Sequence, residues 1–151
     1  MVLWFWVQYE AKPGDMLMID EPELNLHPAN QRRLVKFLAA LVNTGIKIFL
    51  TTHSDYIIRE FNTLIMLSSD KPHLSAVREK FKGYTDRDFL KAENVAVYTT
   101  TTASFEIEGK KKKSLTLQKW NVEEHRGIQI KSFDDEINTM NKIQDAILYG
   151  V

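Results

Sequence analysis

The sequence predicts an α/β fold: a partial, mainly parallel sheet with flanking helices, joined to a small antiparallel meander. Three observations carry this expectation. Residues 16–19 are a continuous apolar run and residues 46–51, "IKIFLT", read as a second buried strand, the pattern of strands covered on both faces, as in a parallel sheet. Between them Leu34, Phe37, Leu38, Leu41 and Val42 recur at helical spacing, which makes a strand–helix–strand unit. Beyond residue 94 three segments alternate polar and apolar side chains in the manner of antiparallel strands.

Each element follows in order. Residues 1–11, "MVLWFWVQYEA", read as a helix or the tail of one, apolar enough to need a surface to pack on. Lys12-Pro13-Gly14-Asp15 is a turn, and the first strand follows it. Pro28 suits the first turn of a helix, and Gly45 suits its end. After the second strand, Ser54 or Asp55 can cap a helix carrying Ile57, Ile58 and Phe61. "NTLIMLSS", residues 62–69, reads as a third strand. Residues 70–93 are polar, with short helices near 74–82 and 85–92. Strands are expected at 95–101, 104–108 and 115–120, the last two pairing through Gly109 and the lysines 110–113. A C-terminal helix opens at Ser132 with Asp135 placed for a capping box, and Phe133, Ile137, Met140, Ile143 and Ile147 form its apolar stripe. The chain thus divides into a core at 16–69, an excursion and meander at 70–131, and a helix at 132–149.

Composition narrows the function. The 151 residues suit one ordinary domain, and 44% hydrophobic residues suffice for a packed core. Twenty basic residues balance twenty acidic ones, which gives no support to a dedicated nucleic-acid coat. The absence of cysteine excludes disulfides and thiolate metal sites. The first residues lack the basic start and small-residue cleavage site of a signal peptide, and no apolar run approaches the roughly 18 residues of a membrane span. The expectation is a cytoplasmic protein with no membrane partner.

The chemistry concentrates in "LMIDEPELNLHP", residues 17–28. Asp20 and Glu21 stand at the carboxyl end of the first strand, and His53 stands at the same end of the second. Ligands of open parallel sheets bind beyond that edge. A magnesium ion offsets the charge of Asp20 and keeps waters in its shell. Glu21 can orient a water, and His53 can donate to a phosphate oxygen. Together these are the parts of a phosphoryl-transfer site. Glu23 reads as a loop carboxylate, and His27 either caps the next helix or faces an interface.

"MLMIDEPELNLHP" resembles the Walker B segment of ABC-type ATPases, and "FLTTHSDYII" resembles their switch-histidine segment. The spelling looks most like the ABC-like ATPases grouped within the AAA family, including overcoming-lysogenisation-defect proteins and related bacterial phage-defence ATPases. The tail "GIQIKSFDDEINTMN" is similar to the end of such a head. The resemblance implies a partial P-loop NTPase core. It implies that Asp20 holds Mg²⁺ through water, that Glu21 polarises the attacking water and that His53 senses the γ-phosphate of ATP. It places Asn25 and His27 on the loop that crosses to the partner of a homodimeric head. Many ABC proteins have aspartate where His27 stands.

Two departures qualify it. A phosphate loop, G-x-x-x-x-G-K-[ST], is absent from these residues, and "GKKKKS" at 109–114 has neither the second glycine nor the strand-to-helix setting. The signature segment is absent too. The chain therefore reads as the C-terminal half of an ATPase head, active when an N-terminal Walker A half completes it and coupled to an effector protein. The alternative is a non-catalytic binding or regulatory module derived from such a head. A metallohydrolase cluster is disfavoured because no H-x-x-x-H spacing occurs. The lysine run is read as a solvated hairpin tip, with a nucleic-acid patch as the lesser reading. Trp4, Phe5 and Trp6 read as core or interface, since no lysine or arginine lies among them for base stacking.

Overall fold

The computed structural model describes residues 2–107 and 110–149, with the backbone alone for residues 2–4, 107 and 131–137. The chain forms two compact units: one is built from the chain up to residue 95 together with 123–127, the other from 96–122 and 128 onward.

The first unit contains α1 (Val2–Tyr9), β1 (Met16–Asp20), α2 (Pro28–Asn43), β2 (Lys47–Thr51), α3 (Asp55–Leu67) and α4 (Leu74–Lys80). β1 and β2 pair in parallel, from Met16 opposite Lys47 to Asp20 opposite Thr51. The turn before β1 is tied to the end of α2. Gly14 N–H donates to Gly45 O at 2.8 Å, and Lys47 N–H donates to Asp15 O at 2.8 Å. Gly45 is required here twice over. Its φ is +92°, and a Cβ would sit 3.1 Å from that of Pro13.

α2 starts with Pro28 in its first turn, as expected. Its buried stripe is Val35, Leu38, Ala39 and Leu41, rotated slightly from the predicted face so that Leu34 and Phe37 lie at its margin. Ser54 caps α3, accepting from the Ile57 N–H at 3.4 Å. α3 then runs on to Leu67, so residues 62–67 are helix and not a third strand. The reason is periodicity: Ile57, Leu64 and Ile65 lie at i, i+7 and i+8 and are all fully buried. A short apolar run read alone does not distinguish strand from buried helix.

Residues 85–91 are irregular where a helix was expected. Asp88 accepts from both the N–H and the hydroxyl of Thr85, a local alternative to helical bonding. Asn43 then pins the segment by donating to the carbonyls of Arg87 and Phe89, each at 2.9 Å. This seats Leu90 in the core.

A polar cluster joins α2, α3 and this segment. Arg32 Nε donates to Glu60 Oε2 at 2.6 Å and Arg32 Nη2 donates to the Tyr84 hydroxyl at 2.7 Å. The Tyr84 hydroxyl donates to Glu60 Oε2 at 3.3 Å. The hydrogen bond to Glu60, then that to Tyr84, raises the Arg32 pKa. Burial raises that of Tyr84.

The sheet differs from expectation on its outer face. Met16, Met18 and Phe49 project together and are 60%, 68% and 54% exposed, so the strands are covered on one face and not two. Exposed apolar side chains on a short open sheet invite pairing with another chain. The chain is therefore expected to self-associate with rising concentration in light scattering. Replacing Met18 and Phe49 together by Lys should suppress this. A clean wild-type monomer across the range would contradict it.

In the second unit, β3 (Val97–Ile107) pairs antiparallel with β4 (Lys110–Trp120), Val97 opposite Trp120 and Ile107 opposite Lys110. The meander is thus a single long hairpin. The threonine-rich run 99–102 contains no glycine or proline to break it, and β-branched residues favour extension. The lysines 110–113 are the exposed first residues of β4, with Lys110 opposite Ile107, and residues 108 and 109 are outside the described residues. Trp120 Nε1 donates to Thr99 Oγ1 at 2.7 Å across the pair. Two short strands, β5 (Val122–Glu123) and β6 (Gly127–Ile128), flank a turn before α5 (Lys131–Tyr149). The side chains of Ser132, Asp135, Phe133 and Ile137 are outside the described residues. Met140, Ile143 and Ile147 of the predicted stripe are exposed.

The architecture is mixed α/β with two-stranded sheets among the described residues, the parallel part being β1 and β2 alone. Among these residues no helix is long and apolar enough to cross a membrane.

Candidate active site at the ends of the parallel strands

Parallel register brings Asp20 and Thr51 side by side at the carboxyl edge of the sheet. The Thr51 hydroxyl donates to Asp20 Oδ1. This orients the carboxylate at the strand end. The chain then turns sharply. Glu21 N–H points back at β2, with Thr51 O at 3.1 Å and Thr51 Oγ1 at 3.2 Å.

This turn puts Glu21 at φ +40°, in the left-handed region where a non-glycine residue is uncommon. Such a conformation costs on the order of 1–2 kcal/mol and persists only where neighbours enforce it. The bonds to Thr51, the rigid ring of Pro22 and a bond from Leu24 N–H to Glu21 O at 3.1 Å supply that enforcement. The result is that the Glu21 carboxylate faces His53, with Oε1 3.5 Å from Nε2. The Glu21 side chain is 31% exposed and that of His53 is 91% exposed, so water reaches both.

Glu23 is a loop carboxylate, as the sequence suggested, but a buried one. It is 7% exposed. Its Oε1 accepts from the Thr52 hydroxyl and from the His53 N–H, the latter at 3.2 Å. Its Oε2 is buried with no hydrogen-bond partner among the described residues. Thr51 and Thr52 are therefore adjacent donors to two different carboxylates. Their signal in the sequence was the hydroxyl pair directly ahead of His53.

Asn25 and His27 lie on the exposed loop between Glu21 and α2. Asn25 is also left-handed, at φ +63°. His27 caps α2, its Nδ1 accepting from the Ala29 N–H at 3.3 Å. Among the described residues no hydrogen bond joins Asn25 or His27 to Asp20, Glu21 or His53. Glu21 and His53 meet, and Asp20 ends its strand at the same edge, bonded to Thr51.

The donor set tests what the edge can hold. Among the described residues no three His, Asp or Glu side chains converge on a point, as a closed metal cage requires. A single carboxylate at an accessible strand end fits magnesium, which retains most of its waters.

No curated protein and no solved structure matches the chain. Residues 5–58, which include Asp20, Glu21, Asn25, His27 and His53, match the model of the AAA ATPase domain family. The match spans about a third of the chain and is a likeness of these residues to that family.

Proposed function

We propose that the chain supplies the Walker B and switch-histidine half of an ABC-like ATPase head, which binds and hydrolyses ATP once a phosphate loop is provided by another segment or chain. The observation that carries this reading is the placement of His53 and Glu21 3.5 Å apart at the edge where Asp20 also ends its strand. Bound magnesium would neutralise charge developing on the phosphates. Asp20, held by the Thr51 hydroxyl, would take the ion through its waters. Glu21 would orient a water for attack and accept its proton, which requires the partial exposure it has. His53 would donate to the γ-phosphate from the next strand. Asn25 and His27 would meet the opposing head of a dimer. In keeping with the resemblance, turnover would drive an effector in a bacterial defence or DNA-related system.

A second reading is supported by the lack of a G-x-x-x-x-G-K-[ST] segment in the 151 residues. The chain would then be a binding or regulatory module without turnover. The two part company in solution. Alone, the chain should bind Mg·ATP no tighter than about 1 mM, roughly −4 kcal/mol, because the backbone cradle and lysine that grip the phosphates are not among its residues. Isothermal titration measures this, and micromolar affinity would refute it. Mixed with a segment bearing the phosphate loop and signature, the chain should hydrolyse ATP. Stable complex formation without hydrolysis would favour the module.

A further inference from the structure

We propose that Glu23 is a positioning residue that sets His53 against Glu21. The inference rests on the site reading above and adds to it a residue with no contact to nucleotide. The imidazole of His53 is 91% exposed, so packing does not hold it. Its place is set by the backbone of residues 52–54. Ser54 is tied to Gln31 Oε1 and to the start of α3, and Glu23 holds the two residues ahead of it. Glu23 Oε1 takes the Thr52 hydroxyl and the His53 N–H, and the Thr52 oxygen in turn accepts from the Ser54 N–H at 3.0 Å.

The spacing makes this economical. In Glu21-Pro22-Glu23 the first carboxylate faces the imidazole and the second holds the main chain of the same histidine. Pro22 fixes the geometry between them. The two carboxylates flanking Pro22 thus both act on His53, one at its ring and one at its main chain. Glu23 is also an expensive choice for a filler. Its second oxygen is buried without a hydrogen-bond partner among the described residues, which an apolar residue of that size would avoid. Hydrogen bonds to a charged acceptor are stronger than neutral ones, which suits a clamp on the residues that carry the imidazole.

The test is nuclear magnetic resonance on the full isotope-labelled chain. The readouts are the Overhauser contact between the His53 ring and the Glu21 side chain, and the order parameter of the His53 ring C–H bonds. Wild type and Glu23→Gln should show the contact, because the amide oxygen still accepts both bonds. Glu23→Leu should lose it, with the ring order parameter falling below about 0.6, the range of unrestrained groups. Core amides of α2 and α3 should stay protected in every variant. Should Glu23→Leu fail to fold, Thr52→Val, which removes one of the two donors, should weaken the contact in a folded protein. Retention of the full contact and order in both Glu23→Leu and Thr52→Val overturns the proposal. Loss in Glu23→Gln as well as in Glu23→Leu overturns it too, since acceptance by the side-chain oxygen would then be insufficient. Absence of the contact from the wild type would instead defeat the pairing on which the site reading stands.

Discussion

Glu21→Gln should lower ATP turnover of the completed head by about 10²–10⁴-fold, the usual worth of a positioned general base. That corresponds to roughly 3–5 kcal/mol of barrier. Gln preserves the length of the side chain and its ability to accept a hydrogen bond. It also meets the same backbone demand at φ +40°, so folding should be unaffected. What it lacks is a carboxylate to take the proton of the attacking water and to face His53 at 3.5 Å. Binding of Mg·ATP should change little, because the roles assigned to Asp20 and the phosphate loop are untouched. The measurement is steady-state hydrolysis by the chain mixed with a phosphate-loop segment, with nucleotide binding followed in parallel. Equal turnover by the two proteins would remove Glu21 from the chemistry. The left-handed backbone sharpens the expectation. Asn or Gly would occupy φ +40° with less strain, so a glutamate at this position is supported by function better than by conformation.

Where local pattern and tertiary environment agree, the sequence was sufficient. β1, α2 and β2 form an alternation of apolar run, helical stripe and apolar run, and Pro28, Gly45 and Ser54 mark boundaries by stereochemistry alone. Parallel pairing then sends Asp20, Glu21 and His53 to one edge, because both strands end where their carboxylate or histidine begins. The failures have separate physical causes. The second half of α3 holds a four-residue apolar run, residues 64–67, whose helical identity depends on where Ile57 and Leu64 are buried. Residues 85–91 turn on one Asp88 side chain capturing Thr85. Glu23 looked like any loop carboxylate, since its burial follows from how Thr52 and His53 fold back over it, a contact thirty residues distant in sequence. The exposed face of Met16, Met18 and Phe49 was hidden for a similar reason: an apolar strand sequence reports what would cover it, not whether this chain does so.

Arg32→Ala should destabilise the protein by about 3 kcal/mol, the low end of what breaking a buried ion pair costs. Glu60 is 3% exposed and its Oε1 already lacks a partner among the described residues. Removing Arg32 would leave its carboxylate with only the Tyr84 hydroxyl at 3.3 Å. The low end applies because the Arg32 side chain is 52% exposed, so water screens the pair and can partly replace the guanidinium. For a chain of this size the melting temperature should fall by about 6–12 °C. Glu60→Leu should cost much less. It deletes the buried charge, frees Arg32 to the solvent it already half occupies, and puts an apolar side chain beside Leu64 on α3. The asymmetry is the decisive quantity. If attraction between the partners dominated, either deletion would cost about the same. If desolvation of Glu60 dominates, as its exposure of 3% against 52% for Arg32 implies, removing the arginine is far worse than removing the glutamate. Thermal unfolding of both single variants decides it, and equal losses would reject the desolvation account. Because Arg32 lies in the second turn of α2 and Glu60 in the second turn of α3, the same pair also holds together the helices that follow the Glu21 loop and His53. A site precise to a few ångströms would therefore depend on a charge pair that takes no part in its chemistry.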